Sequence, residues 1–283
     1  METATLLCSC DDRSGIVAAL THFVAEYRGN IIDLDQHTDS REKKFFMRLV
    51  WDIGASALSR EDLPAAMSLV AKKFTNMKWR LSFGSPLPRI AIMASTAPHC
   101  LADLLLRRQM GELPGEIALV IANHEDLAGL CQHFQVPFRH IPASRENRAE
   151  AEAEQLRLLR EYRIELLVLA RYMQVLGPGL TDGREGGIIN IHHSFLPAFV
   201  GAKPYHQALA KGVKIIGATA HYVTAELDQG PIICQDTAPV SHRDEVEDLI
   251  RKGRDIERRV LGAAVRLHLE RRVIVSGNRT IVF

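Results

Sequence analysis

From residue 89 onward the chain repeats one pattern: a short apolar run, then a stretch with one apolar helical face, then another run. The runs are residues 90–94, 116–121 and 165–170, and the helical stretches are residues 99–108, 125–134 and 145–162. Apolar runs of this length without polar alternation are buried on both faces, as strands of a parallel sheet covered by helices must be. The pattern predicts an α/β domain, a Rossmann-like doubly wound sheet with helices on both faces. Residues 244–270 predict one further long helix, with Val246, Leu249, Ile250, Ile256, Val260 and Leu261 at helical spacing and charges that read as a solvated face.

The first 82 residues follow a different order. Residues 4–10, 30–39, 43–53 and 76–82 read as strands, and residues 14–28 and 59–74 as helices, the second of them between the last two strands. Strand, helix, two strands, helix, strand is the ferredoxin-like order. Ile16, Ala19, Leu20 and Phe23 form the apolar stripe of its first helix, and the turn Asp11-Asp12-Arg13-Ser14-Gly15 precedes it. Residues 83–88, with two prolines and a glycine, read as a linker, so that residues 1–82 and 89–283 form separate domains.

Chemistry concentrates near residue 190. The apolar run at 188–191, bounded by Gly187 and Pro197, predicts a strand that delivers Asn190 and His192 to its carboxyl end, on the same side. Asp228 opens the turn Asp228-Gln229-Gly230-Pro231. Attack on a carbonyl needs a donor where negative charge develops, a group that moves a proton and a group that holds its tautomer, which an amide, an imidazole and a carboxylate supply. Ser194 has none of the glycine-flanked elbow of a catalytic serine, so water or a substrate amine would attack. Taken singly, Asn190 suits a turn cap, His192 a core histidine and Asp228 a turn; together with their flanks they point to a site.

Residues 166–170 predict another strand whose following loop faces the same crevice, and residues 223–228 its opposite wall. His193, Lys203, Tyr205, His206 and His221 are further wall candidates. The histidines invite a metal reading, but neighbouring His192 and His193 on extended backbone are expected to point oppositely, and no metal is expected. Residues 95–101 contain no glycine, which argues against a phosphate cradle there; His99 and Cys100 at a helix start read as packing.

Thirty-five basic against thirty-four acidic residues provide no general field for nucleic acid. Five cysteines, an odd number, with no signal peptide or long apolar span, point to a cytoplasmic protein that neither crosses nor anchors in a membrane.

Asn-Ile-His-His-Ser-Phe-Leu-Pro-Ala-Phe from Asn190 and Glu-Leu-Asp-Gln-Gly-Pro-Ile-Ile from Glu226 closely resemble the folate-dependent formyltransferase family. The resemblance implies that Asn190, His192 and Asp228 form a formyl-transfer site. It also implies that Arg171, Tyr172, Met173, Gln174, Val175 and Leu176 border the folate ring, with Val223, Thr224, Ala225, Glu226 and Leu227 opposite. The first 82 residues resemble an ACT domain, implying self-association, amino-acid binding, or both; Arg13, Ser14, Gly15 and Asn30 occupy the ligand turn and interface. An ACT-like module before this site, His193 after the catalytic histidine and the missing phosphate loop together resemble the formyltetrahydrofolate deformylases. That implies hydrolysis of 10-formyltetrahydrofolate to formate and tetrahydrofolate in one-carbon and purine metabolism, by a homo-oligomer needing no cofactor. Formyl transfer to a small amine, or a silent folate- or amino-acid-binding regulator, are the alternative readings.

Overall fold

A computed structural model describes residues 2–144, 146–183, 186–198 and 204–283. The chain divides into two compact units: residues 1–87 with 271–276 and 281–283, and residues 88–270 with 277–280. The C-terminal residues, assigned by sequence to the second domain, are thus shared between the units.

The first unit is built from β1 (Thr3–Asp11), α1 (Ile16–Glu26), β2 (Asn30–Asp39), β3 (Lys44–Asp52), α2 (Leu63–Ala71) and β4 (Lys78–Phe83). Its strands form one antiparallel sheet in the order β2-β3-β1-β4, the ferredoxin-like arrangement. Alternate residues of β1 turn inward, so Ala4, Leu6, Cys8 and Cys10 are buried with Leu20 and Phe23 of α1 and Met47, Leu49 and Trp51 of β3. β2 differs: it is an edge strand with nearly every residue exposed, Ile31, Ile32 and Leu34 included. The turn before α1 ends on Gly15 in the left-handed region (φ 90°), and no side chain caps the helix.

The second unit continues with β5 (Arg89–Ala94), α3 (His99–Gln109), β6 (Glu116–Ala122), α4 (Ala128–His133), β7 (Phe138–His140), α5 (Arg148–Glu161), β8 (Leu166–Ala170), α6 (Pro178–Thr181), β9 (Ile188–His192), α7 (Pro204–Ala210), β10 (Ile215–Tyr222), β11 (Ile232–Pro239) and α8 (Val246–Leu269). The chain ends in the paired strands β12 (Val273–Ser276) and β13 (Arg279–Val282). Seven strands form one sheet in the order β11-β10-β9-β8-β5-β6-β7. β9, β8, β5, β6 and β7 are parallel, whereas β10 pairs antiparallel with both β9 and β11. The sheet is thus a parallel α/β core of the kind expected from the sequence, made mixed at one edge by β10, a direction that apolar runs do not reveal.

Chain order reverses at β5, with β6 on one side and β8 on the other; in such sheets the crevice for ligands opens beyond the carboxyl ends of the strands. α8 packs on β9, β10, β11 and α3 through a buried stripe that includes Leu249, Ile256, Val260 and Leu261. It starts with a reciprocal capping box between Glu245 and Asp248.

Candidate active site

β9 is buried except at Asn190, which is half-buried, and its polar residues lie toward its carboxyl end. Asn190 and His192 line a cavity of about 680 Å³ there. Asp228 reaches them from the loop between β10 and β11, whose base is pinched by Tyr222 N–H donating to Pro231 O at 2.9 Å. Gly230 makes the pinch possible, since a Cβ there would lie 1.7 Å from Tyr222 O. Asp228 itself adopts the left-handed region (φ 55°), which an Asp tolerates better than most residues.

The hydrogen-bond pattern assigns the protons. Asp228 Oδ1 lies 3.3 Å from His192 Nδ1. This contact holds the Asp228 carboxyl well below the usual carboxylate range, outweighing the burial that would raise it. An ionised carboxylate only accepts, so His192 carries its proton on Nδ1 and presents a lone pair on Nε2. That Nε2 is buried and has no hydrogen-bond partner among the described residues.

His221 stands beside Asn190 because β9 and β10 pair antiparallel with these two residues opposite each other. Its Nδ1 lies 2.9 Å from Tyr222 O, a carbonyl that only accepts, so Nδ1 carries the proton and Nε2 the lone pair. Asn190 Nδ2 is 3.3 Å from that Nε2 and donates to it. The 3.7 Å from His221 Nε2 to Asp228 Oδ1 is too long for a hydrogen bond. His221, expected only as a wall residue, thus fixes which way the Asn190 amide faces and leaves its second N–H for the cavity.

The folate-side prediction lands on one half of the same cavity. Arg171, Tyr172, Met173, Gln174, Val175 and Leu176 line it after β8, and Val223, Thr224, Ala225, Glu226 and Leu227 line it opposite. Both loops are held from behind. Met173 N–H donates to Ser95 Oγ at 3.0 Å, the buried Tyr172 hydroxyl meets Gln155 Nε2 at 3.0 Å, and Val223 N–H donates to Ile188 O at 2.9 Å. Met173, Val175 and Leu227 are exposed, an apolar rim suited to a flat aromatic ligand.

The other half is polar and centres on Glu257 of α8, which is 1% exposed. His99 Nε2 lies 2.7 Å from Glu257 Oε2, the Tyr205 hydroxyl donates to Oε1 at 2.7 Å, and Arg171 Nε lies 3.5 Å from Oε2. Burial alone would raise the Glu257 carboxyl, but His99, Arg171 and Tyr205 more than offset it and hold its pKa below the ordinary value. Burial and the Glu257 charge push the Tyr205 phenol up. Tyr205 reaches Glu257 by crossing α8 at Gly253, where a Cβ would fall 1.9 Å from its hydroxyl.

Three expectations are corrected here. The α8 charges are not all a solvated face, because Glu257 lies four residues after Gly253 within the buried stripe, a position readable from the spacing. His99 does not merely pack, since it pairs with Glu257. His192 and His193 do not point oppositely: β9 ends at His192, and the two rings stack with centroids 5.2 Å apart and planes within 14°.

His206 lines the cavity and Lys203 lies outside the described residues. The Ser194 hydroxyl donates to Ala198 O at 2.8 Å and is occupied structurally. His99, Cys100 and Glu257 place ligand atoms within 4.8 Å of one another, but burial and the Glu257 charge keep the Cys100 thiol protonated and the Glu257 oxygens already meet His99, Tyr205 and Arg171. That set serves as a compensated ion cluster rather than a cation site.

In the first unit, Arg13 and Gly15 line a groove of about 500 Å³ with Gln36 and Thr38. Ser14 lies between them in sequence. Asn30 opens β2 at the far end from Gln36 and Thr38, so the four predicted ligand residues are not brought together.

Residues 88–265 match the family model described as formyl transferase. The chain is 51% identical over 281 residues to a formyltetrahydrofolate deformylase of Synechocystis, covering 99% of this chain and 98% of that protein. It is 49% identical to one from Bacillus subtilis, covering 98% and 93%. Among solved structures it is similar to a formyltetrahydrofolate deformylase from Pseudomonas syringae pv. tomato, with TM-score 0.97 and 46% identity over 100% of this chain and 95% of that one.

Proposed function

The chain belongs to the formyl transferase family and, within it, to the formyltetrahydrofolate deformylases; on that footing we propose that it is an enzyme that hydrolyses 10-formyltetrahydrofolate to formate and tetrahydrofolate. The observation that carries this reading is the free, buried Nε2 of His192, fixed as a base by Asp228 and set beside an Asn190 amide that still has an N–H to give.

The folate ring enters between the loops at 172–176 and 223–227, which brings the formyl group against Asn190 and His192. Water attacks the formyl carbon while His192 Nε2 takes one of its protons, and the carbonyl oxygen becomes an oxyanion that accepts from Asn190 Nδ2. Asp228 compensates the imidazolium so formed. When the intermediate collapses, the carbon–nitrogen bond breaks, His192 returns the proton to the departing folate nitrogen, and formic acid ionises to formate. Every group required is a side chain of this protein, and the reaction needs no cofactor. The test is incubation with 10-formyltetrahydrofolate alone: formate and tetrahydrofolate should appear in equal amounts, whereas turnover only after an amine is added would favour formyl transfer.

The first unit reads as an ACT-like module, supported by its ferredoxin-like strand order and by the Arg13–Gly15 groove, which suits a small amino acid. Self-association through this unit is supported by β2, an exposed edge strand carrying Ile31, Ile32 and Leu34. Light scattering should show a smaller particle for the Ile32→Lys, Leu34→Lys variant, and an unchanged size would remove β2 from the assembly. A cytoplasmic setting is supported by five cysteines that are all free, and no described helix is long and apolar enough to cross a membrane.

A further inference from the structure

We infer that His193 is a water-positioning residue, a neutral N–H donor that the Arg171–Glu257 pair aims at the water attacking beside His192, and that it favours water over an amine as acceptor; this rests on the hydrolytic reading above.

The geometry begins at Arg171, the first residue after β8. Its backbone is left-handed (φ 62°), and its guanidinium lies against Glu257 of α8. There Nε faces Glu257 Oε2 at 3.5 Å, and Nη1 meets His193 Nδ1. A guanidinium only donates, so His193 Nδ1 must accept, and the ring's single proton sits on Nε2. Burial first, then the charges of Arg171 and His192, lower its pKa to about 4, so at neutral pH the ring stays uncharged in this tautomer. Its ring stacks beside that of His192, with centroids 5.2 Å apart and planes within 14°.

The two rings therefore offer one donor and one acceptor side by side, and both line the cavity. A water molecule is the acceptor that uses both: it gives a proton to His192 Nε2 and accepts from His193 Nε2–H, keeping its other lone pair for carbon. A neutral amine has one lone pair, so accepting from His193 would consume the pair it needs for attack. The donor thus selects for hydrolysis. His193 passes on no proton and stays neutral throughout.

Two substitutions separate this role from packing. His193→Leu removes the donor at similar bulk, and His193→Gln returns an N–H near the position of Nε2. Formate release from 10-formyltetrahydrofolate should fall about tenfold or more in kcat for His193→Leu, with KM within about twofold, and recover most of that loss in His193→Gln. With hydroxylamine added, the share of formyl groups captured by the amine should rise about tenfold for His193→Leu relative to wild type. Equal losses in both variants, or an unchanged capture ratio, would overturn the assignment. Wild-type enzyme that releases no formate would instead overturn the hydrolytic reading on which it rests.

Discussion

Asp228 holds its Oδ1 3.3 Å from His192 Nδ1 from a backbone in the left-handed region, so a single turn residue fixes both the tautomer and the orientation of the base. Asn tolerates the same backbone, which makes Asp228→Asn a clean substitution. Its amide can donate to Nδ1 and drive the imidazole proton to Nε2, where no lone pair remains to accept from water. Formate release should fall on the order of a thousandfold or more, with the fold retained. Steady-state kinetics and a melting curve check both halves; a loss below about tenfold would exclude the role assigned to Asp228.

In the proposed reaction Asn190 acts only when charge reaches the formyl oxygen. Replacing it with Ala should lower kcat by about a hundredfold to a thousandfold with a much smaller change in KM, because a donor aimed at the oxyanion contributes little to ground-state binding. A rise in KM at constant kcat would instead make Asn190 a binding residue.

Gly253 interrupts a 24-residue helix, and the reason is the Tyr205 hydroxyl pressed against it. In the wild-type background Gly253→Ala should destabilise the protein by roughly 1–3 kcal/mol through overpacking. In a Tyr205→Ala background the same change should stabilise it by up to about 1 kcal/mol, the ordinary helix preference of Ala over Gly. Urea midpoints of the four proteins give the comparison, and the same sign in both backgrounds would contradict the packing explanation.

The depressed pKa of His193 also has a consequence for stability. The folded protein holds this ring neutral down to about pH 4, while in the unfolded chain it titrates near the ordinary value of about 6.5. Between those values the unfolded state binds the extra proton, so the contribution is complete above about pH 6.5 and is lost as pH falls toward 4, at most about 3 kcal/mol in total. The lowered carboxyls of Asp228 and Glu257 act in the same direction but at lower pH, through and below the ordinary carboxylate range. Wild type should therefore lose more stability than His193→Gln between pH 6.5 and pH 4 in denaturant titrations, and parallel curves would contradict the assignment.

The parts of this protein legible from sequence are those written locally. β1 alternates inward and outward residues, and β5, β6 and β8 are unbroken apolar runs, so period alone locates them. Asn190, His192 and Asp228 were legible because a strand end and a Gly-Pro turn carry them. His221 took its meaning from register: it orients the Asn190 amide because β10 runs back along β9, and no local spacing encodes a pairing between residues 31 apart in sequence. Glu257 was legible in principle, as a charge at the buried phase of α8 one turn beyond a glycine, but the surrounding Arg and Asp residues hid it among solvent-facing charges. His193 was named as a wall residue and lines the cavity, but its ring direction was missed because strand alternation does not extend past the end of β9 at His192.

In the proposed reaction water, activated by His192, supplies the second oxygen of formate. Single-turnover reaction in heavy-oxygen water, with formate analysed by mass, tests it directly. One heavy oxygen per formate is expected, with no acceptor present and with the label absent in His192→Ala because no formate forms. Formate that carries no heavy oxygen, or release that continues near the wild-type rate in His192→Ala, would contradict the mechanism.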